Sequence, residues 1–248
     1  STAHSVYGGS SAYFDGGGYI SPPNSVDFDL GGGDFTLECF IRRAGGGVAV
    51  QQIMGKWHTT GTSSYAMTVQ TNGKLGFAYS VNGNWDPARF TESAVGAVPA
   101  GQFVHVAVVR AGGSITLYVS GVAVASHSAG TDVISNTPNA FTVGGNPASQ
   151  HLLGWVDDLR VTKSARYLGN FVPPTAAHPD SAAGMPTRAC ATALLTCSIP
   201  PSGGGLSALQ DEDGGTVCSW SADRAGAPGF GVRWDFTAGK SIVGLRLG

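Results

Sequence analysis

Residues 102–110 read Gln-Phe-Val-His-Val-Ala-Val-Val-Arg, and residues 111–119 read Ala-Gly-Gly-Ser-Ile-Thr-Leu-Tyr-Val. The first run is apolar on both faces, which suits a central strand covered on both sides. In the second, Ile115, Leu117 and Val119 alternate and read as one buried face. Ala111-Gly112-Gly113 turns the chain between the two, and Ser120-Gly121 turns it again into Val122–Ser126. The same pattern repeats outward from this hairpin. Upstream, Phe35, Leu37, Cys39 and Ile41 share one face of residues 34–42, while Thr36, Glu38 and Arg42 fall mostly on the other. Residues 65–70 and 75–80 flank Thr71-Asn72-Gly73-Lys74, and Asn-Gly between strands signals a hairpin because both positions tolerate positive φ. Ala140–Gly144 and Trp155–Thr162 continue the pattern downstream. About ten strands with short Gly-rich links predict an all-β fold, an antiparallel β-sandwich and not a βαβ array.

Composition agrees. Gly is 38 of 248 residues, about twice the usual share of roughly 7%. Charged residues are 12%, about half the usual roughly 25%. Glu and Lys, the charged helix formers, are scarce, so long solvent-facing helices are not expected. The net charge of −2, with no basic segment, argues against a nucleic-acid partner. No run approaches the roughly 18 apolar residues of a membrane span, so membrane insertion is not expected. No signal peptide follows Ser1, and the missing initiator Met reads as a trimmed or fragmentary chain.

The composition shifts at Phe171-Val172-Pro173-Pro174, after which Pro and Ala dominate to Pro186. We expect one domain over residues 1–178, a linker over 179–188, and a small β module over 189–248. Strand-like runs at Phe230–Phe236 and Ser241–Leu247 place that module, and the stop at Gly248 right after an apolar strand suggests that the polypeptide continues. Cys39, Cys190, Cys197 and Cys218 lack Cx2C spacing and a nearby His pair, which argues against a zinc ribbon. A Cys190–Cys197 bridge and free buried thiols both fit, so the redox compartment stays open.

Several motifs carry a resemblance. They are Ser11-Ala12-Tyr13-Phe14-Asp15-Gly16, Asp34-Phe35-Thr36-Leu37-Glu38, Asn72-Gly73-Lys74-Leu75-Gly76-Phe77, Phe103–Arg110, Ile115–Gly121 and Phe141-Thr142-Val143-Gly144-Gly145. The closing stretch is Gly154-Trp155-Val156-Asp157-Asp158-Leu159-Arg160-Val161-Thr162-Lys163, then Ala165-Arg166-Tyr167, Asn170-Phe171 and Pro173-Pro174. Together these resemble the laminin-G-like, concanavalin A-like jelly rolls, above all those of bacteriophage tail and fibre proteins. Further on, Asp213-Gly214-Gly215, Trp220-Ser221 and Trp234-Asp235-Phe236 through Ile242–Leu245 resemble the first half of a discoidin-like domain.

A glycosidase needs an acid and a base or nucleophile about 5–10 Å apart. The only Glu residues, Glu38, Glu92 and Glu212, do not show the E-x-D-x-x-E spacing of the laminarinase-like relatives. Asp157 and Asp158 are adjacent and should point to opposite faces of a strand, so no catalytic residue is assigned. His105 inside an apolar strand reads as a satisfied core histidine. Relatives hold Ca²⁺ at a sheet edge, and Asp27 with Asp29 on one strand face, or Asp211-Glu212-Asp213, offers hard oxygens. No spacing fixes a coordination geometry, so no metal residue is assigned, and solvated turn acids explain both groups. The candidate ligand-binding residues are Trp57, Asn82, Asn84, Trp85 and Asp86, a mixture of rings that stack on sugars and groups that bond hydroxyls. Trp85 could equally cap the core between the sheets.

The resemblance implies a non-enzymatic bacteriophage virion protein, a tail or head fibre or decoration component. Its jelly roll would attach to a host-surface glycan or dock on neighbouring virion proteins, and such fibres are often trimeric. The alternative is a carbohydrate-binding or adhesion module of a secreted bacterial protein, and a hydrolase or lyase is a third class.

Overall fold

The computed structural model describes residues 1–59 and 61–178, and beyond them the backbone of strands within 208–247. The strands are β1 (Ala12–Asp15), β2 (Phe35–Arg43), β3 (Val50–Gly55), β4 (Tyr65–Gln70), β5 (Leu75–Tyr79), β6 (Phe90–Glu92), β7 (Val104–Ala111) and β8 (Ser114–Val119). They continue with β9 (Val122–Ser128), β10 (Thr142–Val143), β11 (Leu153–Thr162), β12 (Ala208–Gln210), β13 (Thr216–Ser221), β14 (Gly231–Trp234) and β15 (Ile242–Leu247). Among the described residues these form two antiparallel sheets, as the alternating pattern predicts. The larger runs β12-β13-β14-β15-β11-β2-β7-β8-β9, with β1 beside β11, and the smaller runs β10-β3-β4-β5-β6. β11 has two partners on one edge: β1 pairs Leu153–Val156, and β15 pairs Leu159–Thr162. The expected linker, Cys190–Cys197 and Asp211–Asp213 lie outside the described residues.

The core fills the space between the sheets. Phe35, Leu37, Cys39 and Ile41 of β2 meet Tyr65, Met67 and Val69 of β4 and Leu75 and Phe77 of β5, all essentially inaccessible. Cys39 is a free thiol there, and burial pushes its pKa well above the ordinary range. The Asn72-Gly73 hairpin forms, although only Gly73 takes a positive φ, +83°. Gly73 N–H donates to the Gln70 carbonyl and Gln70 N–H to the Lys74 carbonyl, as in a three-residue loop ending in a left-handed residue.

The reverse face of the larger sheet is also covered. Residues 1–11 and 164–178 lie over it as two straps. Tyr7 packs on Phe40 at 5.6 Å between ring centroids. Tyr167 stacks on Phe171 at 3.5 Å, over Ala107, Val109 and Tyr118. Glu38, expected to face away from the core, does so but is completely buried beneath the second strap. Its carboxylate accepts from Arg160 Nε at 2.8 Å and Tyr167 Oη at 2.8 Å, and His105 Nε2 lies 3.3 Å away. Burial pushes Glu38 up, but the His105 hydrogen bond, the Arg160 charge and the Tyr167 hydroxyl outweigh it and hold the carboxyl at about 2. His105 is thus buried but on the strap side of the sheet, and its Nδ1 makes no hydrogen bond.

Two local expectations are corrected. Asp157 and Asp158 do not face opposite ways, because β11 is bulged against β2 between Asp157 and Arg160, and Asp158 has a φ of +48°. The extra residue breaks the alternation. Asp157 accepts from Val6 N–H at 2.6 Å in the first strap, and Asp158 from His178 N–H at 2.9 Å in the second. Asp27 and Asp29 are not on a strand face: Asp27 is the middle residue of a 3₁₀ turn, Val26–Phe28, capped by Ser25, and Asp29 follows it. Asp29 pairs with the buried Lys56 at 2.5 Å.

These pKa shifts set an acid limit. Burial lowers His178 to about 3, so its contribution is lost as pH falls below its ordinary 6.5. Glu38 loses its contribution as pH falls from 4.5 toward about 2. Burial raises Asp158 to about 6, so its contribution runs the other way and is complete below its ordinary 3.8. The melting temperature should therefore fall steeply below about pH 4. Glu38→Gln should cost about 3 kcal/mol at neutral pH and flatten that acid limb, both read from denaturation across a pH series. Cys39 should resist alkylation in the native protein and react once it is unfolded, as mapped by mass spectrometry.

Candidate functional site

The outer face of the smaller sheet carries small side chains in register. Gly55 of β3 faces Ala66 of β4, Ala66 faces Ala78 of β5, and Ala78 faces Phe90 of β6. One step along, Thr68 lies between Gln52 and Gly76. Such a floor lets aromatic rings lie close to the sheet. A Cβ on Gly76 would come within 3.2 Å of the Phe90 ring. Thr68 Oγ1, buried in the floor, makes no hydrogen bond. Past the end of β3 the alternation turns Lys56 inward, to Asp29, and Trp57 outward.

Trp57 meets Trp85 at 5.9 Å with ring planes 79° apart, and Trp85 meets Phe90 at 5.4 Å. Trp85 is 54% exposed, so it does not cap the core, and Trp57 and Phe90 are half-buried. The two tryptophans belong to the loops after β3 and after β5, 28 positions apart in the chain (85 − 57). Those loops are joined by backbone bonds: Ser63 N–H donates to the Gly83 carbonyl at 3.0 Å, and Ser80 N–H to the Ser64 carbonyl at 2.7 Å. Gly83 has a φ of +87°, and a Cβ there would fall 2.3 Å from the Gly61 carbonyl oxygen. Only glycine fits this crossing.

The polar candidates divide by role. Asn82 Oδ1 accepts from Asn84 N–H at 3.0 Å and shapes the loop. Asp86 Oδ1 accepts from Ala88 N–H at 2.9 Å and caps the 3₁₀ turn Pro87–Arg89, while its other oxygen pairs with Arg89. Asn84 is exposed beside Trp85, its amide making one long contact of 3.5 Å to the Asn82 carbonyl. Sequence reading missed three contributors, Phe90, Arg89 and Asp132. Arg89 Nε donates to Asp132 Oδ2 at 2.9 Å, and Tyr79 Oη to the same oxygen at 3.0 Å. Burial, then Asp132, raises the Tyr79 phenol to about 12. His58 beside Trp57 has Nε2 3.0 Å from the Ala140 carbonyl, and burial lowers its pKa. Among the described residues no group of three or more His, Cys, Asp or Glu could hold a metal ion.

The chain matches the family model of the concanavalin A-like lectin/glucanases superfamily, in its laminin-G form, over residues 14–167. It belongs to that family. No curated protein sequence matches it. Among solved structures, this laminin-G-type chain is similar to a Bacteroides ovatus protein described as a candidate carbohydrate-binding protein, at 18% identity and a TM-score of 0.47. That match covers 92% of this chain and 54% of the other, so the chain spans about half of that relative. It is similar also to domain 4 of an extracellular arabinanase from Geobacillus stearothermophilus, solved with arabinotriose. There the identity is 17% and the TM-score 0.47, over 62% of this chain and 71% of that one. Mouse laminin α1 domains LG4-5 match at 19% and 0.45, over 67% and 46%.

Gly83→Ala should separate the two loops. We expect loss of the Trp57–Trp85 coupling, read as a change in near-ultraviolet circular dichroism, and a fall in stability of about 1–3 kcal/mol.

Proposed function

We propose that this concanavalin A-like chain is a non-catalytic carbohydrate-binding module that fastens its bearer to a glycan surface outside the cell. One observation carries the reading: Trp57, Trp85 and Phe90 form an open aromatic cluster on the outer face of the smaller sheet. Exposed rings offer apolar faces to the C–H faces of sugars, and the Asn84 amide and Asp86 lie beside them in the chain for hydroxyls. A few rings on a shallow face give weak single-site binding, which gains from several copies acting together.

The carboxylates of the described residues support binding without cleavage. Glu38, Asp157 and Asp158 lie under the straps, Glu92 pairs with Lys74, and Asp86 and Asp132 pair with Arg89.

A second reading, display on a bacteriophage virion, is favoured by the closing motif from Gly154 to Pro174. Detection of the chain in purified particles, with its jelly roll outward, would establish it; absence from particles would leave the secreted module.

Trp85→Ala should reduce binding on a glycan array by about tenfold at a cost in stability of about 1–2 kcal/mol, because the half-exposed ring also packs on Trp57 and Phe90. A wild-type protein that retains no glycan, or a variant that melts early with unchanged binding, would overturn the assignment.

A further inference from the structure

The charges at this rim suggest which sugars it takes. The inference rests on the carbohydrate-binding reading and goes further, to the class of ligand. Arg89 is the guanidinium of the loop that carries Trp85, and both its sides are taken. Its Nη1 pairs with Asp86 Oδ2, while Nε and Nη2 lie 2.9 and 3.5 Å from the Asp132 carboxylate. Recognition of a sugar carboxylate by arginine uses two parallel N–H groups of a free fork. Here the fork is already filled by two carboxylates from the protein itself.

The local balance is one cation against two anions. Asp132 is held below the usual carboxylate range by the Arg89 hydrogen bond. Nearby groups do not reverse the sign. Arg110 is buried and donates to the Gly31 and Gly130 carbonyls. Lys56 is buried against Asp29. His58 Nε2 lies 3.0 Å from the Ala140 carbonyl, and burial lowers its pKa. Among the described residues Arg89, Arg110 and Lys56 are all engaged, so an incoming carboxylate or sulfate would find no free guanidinium or ammonium beside Trp85 and would meet the Asp86 and Asp132 carboxylates. Two like unit charges about 4 Å apart in water repel by about 1 kcal/mol. A hydroxyl suffers no such penalty, and it can donate to Asp86 or bond the Asn84 amide.

We propose that the Trp57–Trp85–Phe90 site accepts uncharged sugars and excludes acidic ones, because Arg89 is held between Asp86 and Asp132 and is not offered to the ligand.

The experiment uses an array of matched probes: lactose beside sialyllactose, and neutral gluco-oligosaccharides beside the same chains bearing glucuronate. The full chain should bind the neutral member of a pair about fivefold more tightly than the acidic one. Asp132→Asn and Asp86→Asn each release one side of Arg89, and each should raise binding of the acidic member relative to the neutral one by about tenfold. That gain should fade with added salt. Asp86→Asn keeps a capping oxygen for Ala88, so it remains informative if Asp132→Asn proves unstable on thermal denaturation. A wild-type protein that binds the acidic member as well as the neutral one would overturn this proposal and leave the carbohydrate-binding reading standing. Folded variants that gain no acidic binding would overturn the role given to Arg89. Failure to bind any probe would instead remove the carbohydrate-binding reading on which the proposal rests.

Discussion

The buried carboxylate of Glu38 joins three parts of the chain that are remote in sequence. It sits on β2, faces His105 on the neighbouring β7, accepts from Arg160 on β11, and takes the Tyr167 hydroxyl from the strap that follows. A charge with no access to water is tolerable only when its partners are all present, and losing one costs several kcal/mol. The strap over residues 164–178 is therefore part of the fold. Its Tyr167–Phe171 stack shields the charge from water, and the charge in turn fixes where Tyr167 lies.

This closure leaves the two sheets with different surfaces. The larger sheet is covered on its reverse face by the chain's own first and last segments, anchored at Asp157 and Asp158. The smaller sheet is covered on its outer face by loop side chains instead of by a strap, and Gln52, Ala66, Thr68 and Ala78 are buried beneath them. Glycine and alanine pave its outer face, and aromatic rings from two loops gather over it. One sheet face is thus committed to stability, while the other presents a shallow apolar platform with a charged rim.

Much of this was legible beforehand, and the failures have physical causes. β2, β4, β5, β7, β8 and β11 announce themselves through period-two alternation bounded by glycine turns. β3 was not recognised because Gln51 and Gln52 interrupt its apolar pattern, and its register shifts between Gln52 and Met54. β6 has three residues, too few to show a period. Alternation puts the adjacent pair Asp157-Asp158 on opposite faces because it assumes a regular strand, and a bulge cannot be seen in one sequence. Trp57 and Trp85 stand out from their loop neighbours, whereas Phe90 sits in a three-residue strand too short to show a period, and nothing local marks the Arg89–Asp132 pair, whose members are more than forty positions apart.

The sequence by itself determined the all-β class, the antiparallel hairpins and the inward-facing residues, because these depend on neighbours two to ten positions apart. The tertiary structure alone decided that Glu38 would be sealed beneath a strap, that two acids would share a face, and that two tryptophans from separate loops would meet. Those outcomes depend on strand register, on a single extra residue in β11, and on one glycine where two loops cross. They are set by contacts between distant segments, which exist only once the sheets have closed on each other.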